Sequence, residues 1–173
     1  VALADNGTQI GAGTVLPGAT SHVLYSFKLT VGTAPATLSA VSVTTTGDYA
    51  ATDVSNLKLW YSANSTFGSD TAISTLDGPG AAGTKNFTGL SQNLTVGDHW
   101  FFVTADIAEG ANCGKTLGLA AVTTGGLTIA GANKSGTATA GGAQIITGWN
   151  RPPTPPAWRS PTSAVPRWTC PGP

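Results

Sequence analysis

The stretch His22–Val31 (HVLYSFKLTV) constrains the fold more than any other. Val23, Tyr25, Phe27, Leu29 and Val31 alternate with His22, Ser26, Lys28 and Thr30, and Leu24 alone interrupts the polar side. A period of two over ten residues sets five large apolar side chains on one face of a strand. A second stretch, 98–107 (DHWFFVTADI), answers it with Phe101, Val103, Ala105 and Ile107 in step. Trp100 and Phe102 fall on its other face, so this strand is expected to be covered on both sides. The two are read as the central strands of a β-sandwich.

The rest of residues 1–148 repeats the pattern in shorter pieces. The segment 1–15 reads as a bulged edge strand or two short ones, because glycines separate its apolar residues. Strands are expected over 37–45 and 57–61, with Leu57, Leu59 and Tyr61 inward and Trp60 outward. Residues 50–55 are ambiguous and fit one helical turn capped by Thr52 or Asp53. Residues 86–94 are expected to pair with the strand that follows, through a turn at Gly97-Asp98. Further strands fall at 116–123, 127–129 and 144–147. Eight or nine short antiparallel strands, Gly-rich turns and no helix of ten residues predict an all-β, Ig-like sandwich.

Composition narrows the function classes. Charged residues are 9% of the 173 and the formal net charge is zero, against about 25% charged residues in a usual soluble domain. Such a surface does not suit a nucleic-acid partner. No apolar run reaches the ~18–20 residues of a membrane helix. The chain opens at Val1 without an initiator methionine, which fits a removed leader or a fragment.

The composition changes abruptly at residue 149. Residues 149–173 (WNRPPTPPAWRSPTSAVPRWTCPGP) hold eight of the eleven prolines, all three arginines and three of the five tryptophans. Two domains of unlike kind follow: a sandwich over 1–148 and an extended Pro/Trp/Arg-rich tail over 149–173. Trp149, Trp158, Trp168, Arg151, Arg159 and Arg167 are the expected anchors of the tail on a surface. The only cysteines, Cys113 and Cys170, most simply form one disulfide in an exported chain.

Chemistry is sparse. His22 and His99 fall in the two central strands and could approach each other if those strands are neighbours, but two histidines make a poor zinc site. No Gly-x-Ser-x-Gly elbow is present. The aspartates lie mostly in turns, where local hydrogen bonding is their ordinary role. No catalytic residue, metal site or cofactor is therefore expected, and the chain reads as a non-enzyme. Trp60, Tyr61 and Trp100 form a candidate sugar platform, against the simpler reading in which Trp60 covers an outer face and Tyr61 points inward. Asn-x-Ser/Thr triplets begin at Asn6, Asn64, Asn86, Asn93 and Asn133, a mild excess in so Thr-rich a chain. Asp70-Thr71-Ala72 resembles a bacterial O-glycosylation acceptor at Thr71.

The stretches 23–31 (VLYSFKLTV), 45–61 (TTGDYAATDVSNLKLWY), 101–108 (FFVTADIA) and 133–146 (NKSGTATAGGAQII) carry a further likeness. Through them residues 1–147 resemble the β-sandwich repeat modules of very large secreted surface proteins of gliding bacteria and their relatives. The resemblance implies export to the cell surface, adhesive or structural duty and no catalytic residues. The expected function is a structural subunit that self-assembles into an extracellular fibre or layer through sheet edges and extended ends. Its expected partners are copies of itself. The alternative is a carbohydrate-binding or adhesin module of a larger secreted protein, with surface glycans as partners.

Overall fold

The computed structural model describes residues 1–68 and 70–148. Thirteen strands follow in order: β1 (Ala2–Asp5), β2 (Gly13–Val15), β3 (His22–Val31), β4 (Ala36–Thr46), β5 (Val54–Ser62), β6 (Thr71–Asp77), β7 (Gly83–Phe87), β8 (Gln92–Leu94), β9 (Gly97–Ile107), β10 (Thr116–Leu119), β11 (Leu127–Ala130), β12 (Ser135–Gly136) and β13 (Gln144–Ile146). One 3-10 turn, Thr124–Gly126, precedes β11. The first sheet runs β12-β1-β3-β9-β5-β6, and the second runs β11-β4-β10-β13-β2 with β7 and β8 also on β4. The fold is an all-β, two-sheet sandwich. Its sheets are mixed, because β1 pairs parallel with β12 and β13 pairs parallel with β2. The expected all-antiparallel arrangement of eight or nine strands is corrected on both counts. Both short parallel pairs join one of the first two strands to one of the last two described.

The two long alternating stretches are the middle of the first sheet. β3 and β9 pair antiparallel from His22↔Ala105 to Val31↔Gly97. Tyr25, Phe27, Leu29, Phe101, Val103 and Ala105 are buried between the sheets, and the rings of Phe27 and Phe101 stack with centroids 5.0 Å apart. The phase of β3 is not quite that of the sequence. The register shifts between Val23 and Tyr25, so Leu24 joins the core and Val23 is left half-buried. A bulge admits one extra residue and changes which neighbour faces inward.

Three other expectations are corrected. Residues 86–94 do not pair with β9: β7 and β8 are separate strands, and both pair with β4 in the second sheet. Residues 50–55 contain a turn and the start of β5, not a helical turn. His22 and His99 lie toward opposite ends of the β3–β9 ladder, paired with Ala105 and Leu29. Seven residues at about 3.4 Å each separate those levels.

The segment 1–15 resolves into two short strands in different sheets. After β1 ends opposite Phe27, the Gln9 amide takes over the edge of β3. Gln9 Nε2 donates to the Ser26 carbonyl at 2.6 Å, and Ser26 N donates to Gln9 Oε1 at 3.2 Å. The side chain thus satisfies a buried backbone pair that β1 leaves open.

One end of the sandwich gathers the loops 47–53, 78–82 and 108–115 with the end of β13. Asp53 is fully buried there. Its Oδ1 accepts from Asn112 N and Nδ2, each at 2.8 Å, and its Oδ2 from Ala50 N at 2.6 Å. Asp48 accepts from Thr116 N and Oγ1 and from Lys115 Nζ. Gly114 N donates to the Ile146 carbonyl and Thr147 N to the Val15 carbonyl.

Candidate functional site

The first sheet ends in β6, whose ladder to β5 runs from Asn56↔Asp77 to Tyr61↔Thr71. Gly78 N donates to the Ser55 carbonyl at 2.8 Å just beyond the strand. That makes Ser55 and Gly78 a hydrogen-bonded pair, and in an antiparallel ladder such pairs recur at every second residue. Leu76 and Ser74 therefore turn their backbone groups to β5. Thr75 and Asp77 turn theirs away from the sheet.

Among the described residues the other borders are shorter or better guarded. β12 has two residues, β2 three and β11 four. β7 carries Lys85 at its middle, and residues 88–91 interrupt the β7–β8 border. β6 has seven residues with neither Lys nor Pro, and Ile73 and Leu76 are packed partly against the core. Lysine, proline, brevity and bulges are the ordinary ways of blocking a sheet edge. β6 itself carries one such guard: its pairing passes from Leu59↔Ser74 to Trp60↔Ala72, which leaves Ile73 as the extra residue of a bulge. Two carboxylates, Asp70 and Asp77, flank it.

The outer face of the same sheet is aromatic. Trp60 pairs with Phe102 across β5 and β9, and Ser62 pairs with Trp100. Phe67, from the loop after β5, covers this face. Its ring lies edge-on to Trp60 at 5.3 Å and 5.4 Å from Phe102. Trp60 Nε1 donates to Thr104 Oγ1 at 2.8 Å. Phe102 and Thr104 are consequently buried on the side away from the core, and β9 is covered on both faces.

Tyr61 is on the opposite face. It packs against the core, with its ring 5.6 Å from Phe101. Its hydroxyl is 2.9 Å from His99 Nδ1, and His99 Nε2 is 2.8 Å from the Thr95 carbonyl. A carbonyl only accepts, so Nε2 donates to it; in the neutral ring Tyr61 then donates to Nδ1. Trp60 and Trp100 share a face that Tyr61 does not, so the three do not form one platform. The alternation of β5 separates neighbours to opposite sides.

The acids act as cross-links. Asp106 accepts from Ser21 N at 2.7 Å and Asn56 Nδ2 at 3.1 Å, and its Oδ2 lies 2.6 Å from Lys58 Nζ. Burial pushes its carboxyl up, but the bonds from Lys58, Ser21 and Asn56 together hold it below the usual range. Asp5 is likewise lowered, with burial outweighed by Thr139 and Gln9. Asp48 is lowered to about 2 by the Thr116 amide first, then by the Thr116 hydroxyl and Lys115. Asp98 is lowered by Thr30 and Lys28. Among the described residues no three His, Cys, Asp or Glu side chains gather as a metal-binding group. No described helix is long and apolar enough to cross a membrane.

Thr71 is exposed at the start of β6. Cys113 is half-buried in the loop between β9 and β10. The expected partner Cys170, with Trp149, Trp158, Trp168, Arg151, Arg159 and Arg167, lies outside the described residues. The outward backbone of β6 and the buried links at Asp53 and Asp106 had no local signature. Each depends on residues brought together from distant parts of the chain.

No protein-family model matches the chain, and no curated protein matches it. Among solved structures, a chain of the crystal structure of a CaDoc0917–CaCohA2 complex aligns with 84% of this chain and 99% of its own length. The identity is 14% and the TM-score 0.32. A likeness that distant carries no functional argument.

Proposed function

We propose that this chain is a non-enzymatic structural subunit of an extracellular fibre or surface layer, joined to its copies through sheet edges and extended ends. The observation that supports this reading most is the β6 border. It offers a seven-residue strand whose Thr75 and Asp77 backbone groups point away from the sheet, with neither lysine nor proline in it and a bulge at Ile73 as its one guard. Adding a strand to such an edge yields main-chain hydrogen bonds with little demand on sequence. A head-to-tail contact whose rotation does not close propagates into a filament. The low charge of the surface and the likeness to secreted surface modules are in keeping with it.

The test is assembly of the full chain. Light scattering and negative-stain imaging across a concentration series should show growing linear or sheet-like particles. A monomer at every concentration would overturn the reading.

A carbohydrate-binding module is the second reading, favoured by Trp60 and Trp100 on one outer face. A glycan array probed with the full chain and with Trp100→Ala tests it. Binding that the substitution abolishes supports it, and an empty array removes it.

A further inference from the structure

The carbohydrate reading leaves open which ring carries a sugar and what kind of sugar it takes. Resting on that second reading, we infer that Trp100 alone is the stacking floor of a single-ring subsite, and that its ligand is a neutral pyranose bordered by the Lys28–Asp98 pair and the loop after β5.

The aromatic residues of this sheet differ in what already occupies them. Tyr61 faces the core. Trp60 donates its Nε1–H to Thr104 Oγ1, and Phe67 closes over its ring. Trp100 is half-buried, and among the described residues no aromatic ring lies against it and its Nε1 has no hydrogen-bond acceptor. No described side-chain nitrogen or oxygen is both buried and unpaired, so that N–H is open to solvent. An indole in this state offers an apolar face and a donor side by side. A pyranose presents the matching pair, a C–H face and a rim of hydroxyls.

The borders of the ring are polar. Trp100 lies directly opposite Lys28 on β3 and Ser62 on β5. Lys28 Nζ donates to Asp98 Oδ2 at 3.0 Å, and Thr30 Oγ1 donates to Asp98 Oδ1. Asp98 is two residues before Trp100 on the same face, about 7 Å along the strand. An ammonium has three donors and a carboxylate about four acceptor positions, so the pair keeps both kinds free for neighbouring hydroxyls. On the other side, Ser62 begins a loop that buries it, with Ser62 Oγ donating to the Asn64 carbonyl at 2.9 Å. The loop runs across the sheet. Its Ser65 carbonyl accepts from Asn6 Nδ2 at 2.8 Å, and Asn6 follows β1, beyond both β9 and β3. It therefore walls the face on which Trp100 lies.

Charge and size select the ligand. Lys28 and Asp98 cancel each other, and residues 1–148 carry five lysines against eight acids, a net −3. An anionic sugar gains nothing from such a field. A protein partner needs a wider apolar patch, of a few hundred Å². Among the described residues the large hydrophobics classed as exposed are Val96, in the turn before β9, and Ile145, in the second sheet. Neither extends Trp100 into such a patch. One open ring with polar borders fits one sugar ring.

The experiment titrates the full chain, with its five tryptophan indoles labelled with nitrogen-15, and follows the indole N–H signals by NMR. The probes are methyl β-glucopyranoside, methyl β-galactopyranoside and methyl α-mannopyranoside, with methyl β-glucuronide as the charged control. Trp100→Phe assigns the Trp100 signal. At least one neutral pyranoside should move that signal saturably, with a dissociation constant on the order of a few millimolar, and leave the Trp60 signal in place. Trp100→Ala and Asp98→Ala should each weaken binding about tenfold, and Trp60→Phe should stay within about twofold of the parent. If Trp100→Ala melts below the parent, Trp100→Phe serves instead; it keeps a ring, loses the N–H and should weaken binding severalfold.

A pyranoside that binds but moves other indoles and not that of Trp100 overturns this inference and leaves the carbohydrate reading standing. Tighter binding of the glucuronide overturns the neutral class. A Trp100 signal that shifts with protein concentration in the absence of sugar gives the face to a second copy and overturns the sugar. No shift with any pyranoside overturns the subsite, and the glycan array then decides the carbohydrate reading by itself.

Discussion

At the scale of single residues, carboxylates hold one end of the sandwich together. Asp53 accepts three hydrogen bonds from Ala50 and Asn112 while fully buried. Asp53→Ala leaves those donors without their acceptor and should cost about 3 kcal/mol in urea unfolding. Asn112→Ala, which keeps the two backbone bonds, should cost less. The lowered carboxyls of Asp5, Asp48, Asp98 and Asp106 fix the sign of the acid response. The unfolded chain binds these protons near the ordinary carboxylate value of about 3.9, and the folded chain binds them lower. Their stabilisation is present above that value and is lost as pH falls through the folded pKa values. For Asp48 the window reaches down to about pH 2. Urea midpoints measured from pH 5 to pH 2 should fall throughout the lower half of that range, and Asp106→Asn should flatten the slope. None of this was legible beforehand. A turn aspartate announces a local bond, and only the assembled fold shows that Asp53 reaches Asn112 and Asp106 reaches Ser21.

At the scale of elements, legibility followed length. β3 and β9 are ten and eleven residues long, enough for period two to outlast one irregularity, and they are adjacent at the centre of the first sheet. β7 and β8 are too short to identify a partner, and pairing them with the nearest strand in sequence proved wrong. β4 is the longer neighbour that takes both. Trp60 was legible as an outward residue because Leu57 and Leu59 fix the phase of β5. Its cover, Phe67, was not, because a loop has no period. Turns between elements differ in what they tolerate. Gly47 and Gly89 both have positive φ, at 109° and 70°. A Cβ on Gly47 would lie 2.1 Å from the Thr116 carbonyl oxygen, where β4 gives way to the Asp48 link, whereas Gly89 has nothing within 4 Å. Thermal melts should place Gly47→Ala below Gly89→Ala by the equivalent of about 2 kcal/mol, because one adds a backbone clash to the strain that both share.

At the scale of the whole molecule, the sign of the salt response separates two ways of assembling. Net charge is zero, yet it is divided between a body at −3 and a tail at +3. Two bodies meeting edge to edge bring like charges together, and screening then favours association. A tail meeting a body brings opposite charges together, and screening weakens it. The Debye length falls from about 10 Å at 0.1 M to about 3 Å at 1 M salt, so arginines on exposed aspartates lose most of their attraction over that range. Main-chain hydrogen bonds of an added strand do not depend on salt in this way. The concentration of half-assembly should therefore rise severalfold between 0.05 and 0.5 M sodium chloride, numbers on the order of the screening range, without abolishing assembly. Arg159→Gln with Arg167→Gln should remove most of that dependence and leave a weaker, salt-insensitive association. If association instead strengthens with salt in the parent chain, the bodies meet directly, and the division of charge between body and tail has no part in joining them.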